Sequence, residues 1–169
     1  MIVRAVGWGD PAAFALRAAQ RAELEIRYGT PDNEPGPAPT AEDIIVFFVA
    51  FGENDEPLGC GGLRAIGTPE AGIREAEIKR MYVAPSHRGT GVANAILDTL
   101  ENFGREQGWP RLILETGTAQ PDAIRFYERE GYTAIPLYGY YIGCAESLCY
   151  EKLLFAADPA DETACEGCQ

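Results

Sequence analysis

The stretch from Met81 to Asn94 reads MYVAPSHRGTGVAN: a β-prone run, a Pro-marked turn, a loop carrying Gly89 and Gly91, and the start of a helix. A glycine loop that opens a helix presents main-chain N–H groups without intrahelical partners, and the helix dipole adds partial positive charge at that end. Such a place suits a phosphate or diphosphate. Gly89 and Gly91 let an oxygen approach the backbone with no Cβ in the way. Arg88 adds a forked donor for phosphate. The spacing is not GxxxxGKS/T, which excludes a P-loop, and not GxGxxG after the first strand of a βαβ unit, which argues against a dinucleotide site.

The other residue types that do chemistry are few. His87 is the only histidine, so a Ser-His-Asp hydrolase and a histidine-based metal site are excluded by inventory; it reads as a solvent-facing loop residue. Cys149 lies in the apolar LCYEKLL run and reads as a small core residue rather than a nucleophile. The terminal CEGC is one CxxC pair with no second pair or histidine to complete four zinc ligands, so no metal is expected. The five cysteines follow no disulfide framework, and a reducing cytoplasm is the simplest home.

The elements that position the glycine loop follow from pattern. IVRAV at 2–6 reads as an opening strand; Asp10-Pro11 reads as an N-cap and first helical residue, with one helix or two short ones reaching Arg27. Residues 29–40 (GTPDNEPGPAPT) cannot continue a helix and predict a loop, a substrate-side flap by its length. Three strands follow: Ile44–Phe51, buried on both faces, a Gly-rich run from Leu58 to Ile66, and Arg74–Val83. Val92, Ala95, Ile96, Leu100 and Phe103 have helical spacing within 91–107. Strand Arg111–Glu115, helix Pro121–Glu130 and a final strand around Leu148–Leu154 complete the chain. Antiparallel strands followed by a strand–helix–strand unit predict a mixed α/β sheet with one parallel pair. The expectation is one domain over 1–155 and an acidic, flexible tail over 156–169.

Charge restricts partners. A formal net charge of -12 argues against nucleic acid and against an anionic membrane surface, and it favours cationic ligands such as amines. No stretch approaches the roughly 18 apolar residues of a membrane helix, and the first residues lack the layout of a secretory signal.

Two segments carry a family resemblance. Arg88-Gly89-Thr90-Gly91-Val92-Ala93 matches Q/R-x-x-G-x-G/A, the signature of the GNAT N-acetyltransferases. Thirty residues on, Ala123 to Tyr132 (AIRFYEREGY) resembles that family's helix-and-turn segment. The resemblance spans roughly residues 41–154. It implies a mostly antiparallel sheet of six to seven strands whose central strands, 74–83 and 111–116, splay apart to admit the pantetheine arm of acetyl-CoA. It further implies that Met81, Tyr82 and Val83 pair with pantetheine amides, and that Arg88, Gly89, Thr90, Gly91, Val92, Ala93 and Asn94 seat the pyrophosphate. Gln120 stands where many relatives place a cofactor-contacting Asn. Tyr127 occupies the general-acid position and Glu77 the position of a base, with Glu115 next in line.

An alkylammonium must lose a proton before it attacks, which is why a base is sought. The acceptor is expected between the N-terminal helix, the Pro-rich loop and residues 135–146. Glu23, Glu25, Arg27, Tyr28, Arg80, Glu115 and Tyr138 to Tyr141, Tyr140 among them, are candidates to line its site. Acidic residues would receive an ammonium, and Arg27 or Arg80 a carboxylate, which suits an amino-acid-like amine. The competing readings are a non-catalytic acyl-CoA sensor, a protein or peptide acetyltransferase, and a different acyl donor such as succinyl- or propionyl-CoA. The oligomeric expectation is a monomer or homodimer.

Overall fold

The computed structural model describes residues 1–30, 34–66 and 75–155. Ten helices and strands follow in the order β1 (Ile2–Val6), α1 (Pro11–Tyr28), β2 (Ile44–Phe51), β3 (Pro57–Ile66), β4 (Glu75–Val83), α2 (Val92–Glu106), β5 (Arg111–Gly117), α3 (Pro121–Arg129), β6 (Thr133–Ile135) and β7 (Ser147–Leu153). The N-terminal helix is single. Asp10 caps it, its carboxylate accepting from the N–H groups of Ala12 and Ala13, with Pro11 behind it; Gly29 closes it with a φ of 73°. The short strand β6 is an element that the sequence pattern did not reveal. Residues 67–74, Arg74 among them, and the acidic tail lie outside the described residues.

The strands form one seven-stranded sheet in the order β1-β2-β3-β4-β5-β7-β6. All neighbours are antiparallel except β4 and β5, the expected parallel pair. The continuous apolar run of β2 is explained by helices on both faces. Phe47, Val49 and Phe51 pack with Ala13 and Leu16 of α1, whereas Phe48 and Ala50 alternate to the other side and join Ile96, Leu97 and Leu100 of α2.

Two irregularities prepare the site. The parallel pairing of β4 with β5 runs only from Glu75↔Arg111 to Ile78↔Leu114, although β4 continues to Val83 and β5 to Gly117. Beyond that point each strand stays paired on its outer edge, β4 with β3 as far as Val83↔Gly59 and β5 with β7 as far as Gly117↔Ser147. The inner edges diverge. The second irregularity is a bulge in β4: the register passes from Gly62↔Lys79 to Cys60↔Tyr82, so Arg80 and Met81 together face one residue of β3. Arg80 there adopts a φ of 60°, a left-handed conformation uncommon outside glycine.

Candidate active site

The fork between β4 and β5 opens into two cavities that share a wall. The smaller, about 340 Å³, lies between Tyr28, Glu34, Lys79, Arg80, Glu115 and the Cys144–Ser147 turn. The larger, about 520 Å³, runs along Met81, Tyr82 and Val83 to Arg88, Gly89, Gly91, Ala93 and Asn94. Gln20, Leu24, Met81, Gln120, Ala123 and Tyr127 line both.

At the far end of the groove the glycine loop has the geometry expected of an anion seat. Gly89 and Gly91 take φ values of 75° and 87°, and open space surrounds the point where a Cβ would stand on each. The first main-chain bond of α2 runs from the Ala95 N–H to the Gly91 carbonyl; the N–H groups of Val92, Ala93 and Asn94 precede the ladder. No acidic residue occupies the first turn of α2. The side chains of Thr90 and Val92 turn elsewhere: the Thr90 hydroxyl donates to the His87 carbonyl, and Val92 is buried in the core. The Val92 side chain is therefore closed to a ligand. Arg88 is braced by Nε donating to the Val83 carbonyl at 3.0 Å and Nη2 to Glu23 at 2.6 Å. The hydrogen bond to Glu23 raises the Arg88 pKa further, so the guanidinium is charged at any working pH.

Tyr127 is 6% exposed and stacks edge-on with Phe126 and Tyr132, ring centroids 5.3 and 5.5 Å away. Burial pushes its phenol above the ordinary range, so it holds its proton at neutral pH. Gln120, immediately before α3, donates from Nε2 to the Tyr28 hydroxyl at 3.3 Å. A Cβ on Gly117 would meet that hydroxyl at 1.7 Å, so glycine at the end of β5 is what lets Tyr28 reach the shared wall.

The two carboxylates singled out as bases part company. Glu77 pairs with Ile113 inside the zipped section and is fully buried. Its Oε2 accepts from Arg64 at 2.6 and 3.0 Å; its Oε1 accepts from the hydroxyls of Tyr141 at 2.5 Å and Tyr138 at 3.1 Å. Lys79 stands 3.9 Å away. Glu77 lines neither the groove nor the smaller cavity, and its acceptor capacity is already filled. Glu115 is the first β5 residue past the last paired position and faces the smaller cavity. Burial raises its pKa, outweighing the opposing Ser147 hydrogen bond and the Lys79 charge.

The remaining candidates are distributed unevenly. Tyr28 and Arg80 line the smaller cavity; Glu23 and Arg27 belong to the groove, Arg27 Nη2 donating to Glu23 at 3.2 Å. Glu25 is exposed and lines neither. Tyr140 is also exposed and lines a third recess on the Glu77 side, while Tyr138 and Tyr141 cap Glu77. Gln20, Glu34 and Lys79 carry no signal in the sequence pattern. Gln20 donates from Nε2 to the Met81 carbonyl at 2.9 Å, and its buried Oε1 has no partner among the described residues. Glu34 forms ion pairs with Lys79 and, at 2.8 Å, with Arg80.

The model of the acetyltransferase (GNAT) family matches residues 15–132. The chain belongs to the GNAT acetyltransferase family. An "IAA acetyltransferase" of Azospirillum brasilense is 37% identical over 114 residues, 68% of this chain and 71% of that one. Rat N-acetyltransferase 8F1 is 33% identical over 86 residues, covering 51% of this chain and only 38% of the rat protein. Among solved structures, a Klebsiella pneumoniae protein named provisionally as an acyl-CoA N-acyltransferase has a TM-score of 0.74 at 28% identity, covering 91% of this chain and 97% of that one. A Bacillus anthracis acetyltransferase solved with acetyl coenzyme A shares the fold at 18% identity, with a TM-score of 0.56 over 70% of this chain and 69% of that one.

The family to which the chain belongs uses acetyl-CoA, the group present in the Bacillus anthracis structure. The groove fits that group: the glycine loop offers free N–H groups for a diphosphate, the parted edge of β4 offers backbone to an amide-bearing arm, and Gln20 Oε1 is a buried acceptor on the shared wall. Among the described residues no cluster of histidine, cysteine, aspartate or glutamate has the arrangement of a metal site. Among them, too, no helix is long and apolar enough to cross a membrane.

Proposed function

We propose that this acetyltransferase N-acetylates the primary amine of a small molecule held in the smaller cavity, by direct attack with donor and acceptor bound together. The observation that carries the reading is that Tyr127 forms part of the wall common to groove and cavity, while Glu115 faces the cavity. Acetyl-CoA supplies an activated acetyl group on a thiolate leaving group. Arg88, the N–H groups from Gly89 to Asn94, and the edge at Met81 to Val83 that β5 leaves unpaired bind and orient the donor. Gln120 and Gln20 define where its reactive end stops.

Glu115 accepts the proton that the acceptor ammonium must lose, directly or through one water. Its raised pKa brings it nearer the working pH, where a carboxylate is a better base. The Tyr127 hydroxyl delivers a proton to the departing sulfur. Glu77 has a different role in this scheme: clamped by Arg64 and two tyrosines, it fixes the floor on which Lys79 stands. A cavity of about 340 Å³ favours a small acceptor over a peptide. The described cysteines, Cys60, Cys144 and Cys149, are unpaired thiols, which suits the reducing cytoplasm.

The test is thiol release from acetyl-CoA with a panel of small primary amines and of short peptides. Acceleration by amines and none by peptides supports the reading; acceleration by peptides alone overturns it. Release with neither, while acetyl-CoA binds, would favour a sensor that performs no transfer.

A further inference from the structure

We infer that the acceptor is an amine that also bears a carboxylate, that Lys79 and Arg80 form the seat of that carboxylate, and that Glu34 holds the seat until the acceptor displaces it. The inference rests on the small-amine reading above and narrows it to zwitterionic acceptors.

In a regular strand, successive side chains point to opposite faces. The bulge in β4 breaks that alternation at Arg80, and Lys79 and Arg80 consequently converge on a single carboxylate. Glu34 Oε1 pairs with Lys79 Nζ and Glu34 Oε2 with Arg80 Nη2, so each oxygen has its own cation. Lys79 is 7% exposed and is held from the other side by the Tyr141 hydroxyl at 3.1 Å. Two cations facing one cavity are unusual in a chain of net charge -12. Buried cations short of counter-charge are costly, and beside Glu77, 3.9 Å from Lys79, the structure adds a second carboxylate.

That carboxylate comes from the Pro-rich loop and not from the sheet. Lys79 and Arg80 belong to a strand paired with β3 on both sides of the bulge, whereas Glu34 stands in a segment without helix or strand. Burial alone would raise the Glu34 pKa, but Lys79 and Arg80 outweigh it and keep Glu34 ionised. It is therefore a close chemical stand-in for a ligand carboxylate. Glu115, on the neighbouring strand β5, faces the same cavity and supplies the other half of a zwitterion site. The groove repeats the device: Glu23 joins Arg27 and Arg88 where the donor's diphosphate is expected.

The experiment compares α-amino acids with the amines that remain after decarboxylation, pair by pair, reading kcat/KM by thiol release. Wild-type enzyme is expected to favour the amino acid of each pair by about tenfold or more. In Arg80→Met that ratio should collapse toward one. In Glu34→Gln it should rise about fivefold, because the internal competitor is gone. Arg80→Lys, which keeps the charge, should retain part of the preference and separates loss of the seat from loss of the fold. Decarboxylated amines performing as well as amino acids in wild-type enzyme would overturn the carboxylate seat while leaving the amine reading intact. A Glu34→Gln ratio that falls would also overturn it, since Glu34 would then be a binder of the ammonium. If neither member of any pair is acetylated, the amine reading itself fails.

Discussion

Two carboxylates on one sheet face, Glu77 and Glu115, differ in what surrounds them, and this decides their chemistry. Glu77 is saturated with donors; Glu115 sits where the strands have just parted. Glu115→Gln should lower kcat by about 10²–10⁴-fold, measured at saturating acetyl-CoA. The pH profile gives the sign. Because burial raises the Glu115 pKa, kcat/KM should rise with pH through a limb above the usual carboxylate range, and Glu115→Gln should erase that limb. The Tyr127 phenol is also shifted upward, so its deprotonation should not limit activity until well into alkaline pH. Tyr127→Phe should lower turnover with little change in acetyl-CoA affinity, measured by calorimetry; unchanged turnover would remove Tyr127 from the mechanism. Glu77→Ala should act on stability instead. Removing one partner of a buried ion pair costs about 3–5 kcal/mol, roughly 6–20 °C in Tm for a chain of this size. The enzyme that remains folded should keep its pH profile. Choosing between the two was beyond sequence pattern, because both are glutamates on strands with similar neighbours. The difference is the pairing register and the tyrosines that a distant turn folds over Glu77.

At the scale of elements, what is local in the chain was legible and what depends on pairing was not. The glycine loop, the capped helix α1 and the helix α3 with Tyr127 are each written within a few consecutive residues, since caps and turns are satisfied by near neighbours. The three-residue strand β6 has no pattern of its own and exists only because β7 offers it an edge. The bulge at Arg80 is equally silent: a β-prone run gives no sign that one residue will take a positive φ. The Pro-rich segment was readable as unable to continue a helix, but the salt bridges that Glu34 makes were not. The helix-opening loop has its own test. Gly91→Glu should place bulk and negative charge at the diphosphate seat in a position of positive φ, and calorimetry should show acetyl-CoA affinity lowered by at least tenfold. Affinity equal to that of the unaltered enzyme would move the seat elsewhere.

At the scale of the whole molecule, the fork is held open by main-chain bonding on its two outer sides, from β3 to β4 and from β5 to β7. Replacing the residues that face the opening therefore alters what it accepts without closing it, and the donor end, built from glycine-loop backbone, is untouched by such changes. An architecture of this kind separates inheritance of the reaction from inheritance of the substrate. On the reading proposed above, Lys79, Arg80 and the segment bearing Glu34 can be exchanged as a set, turning the same frame toward a different clientele of amines.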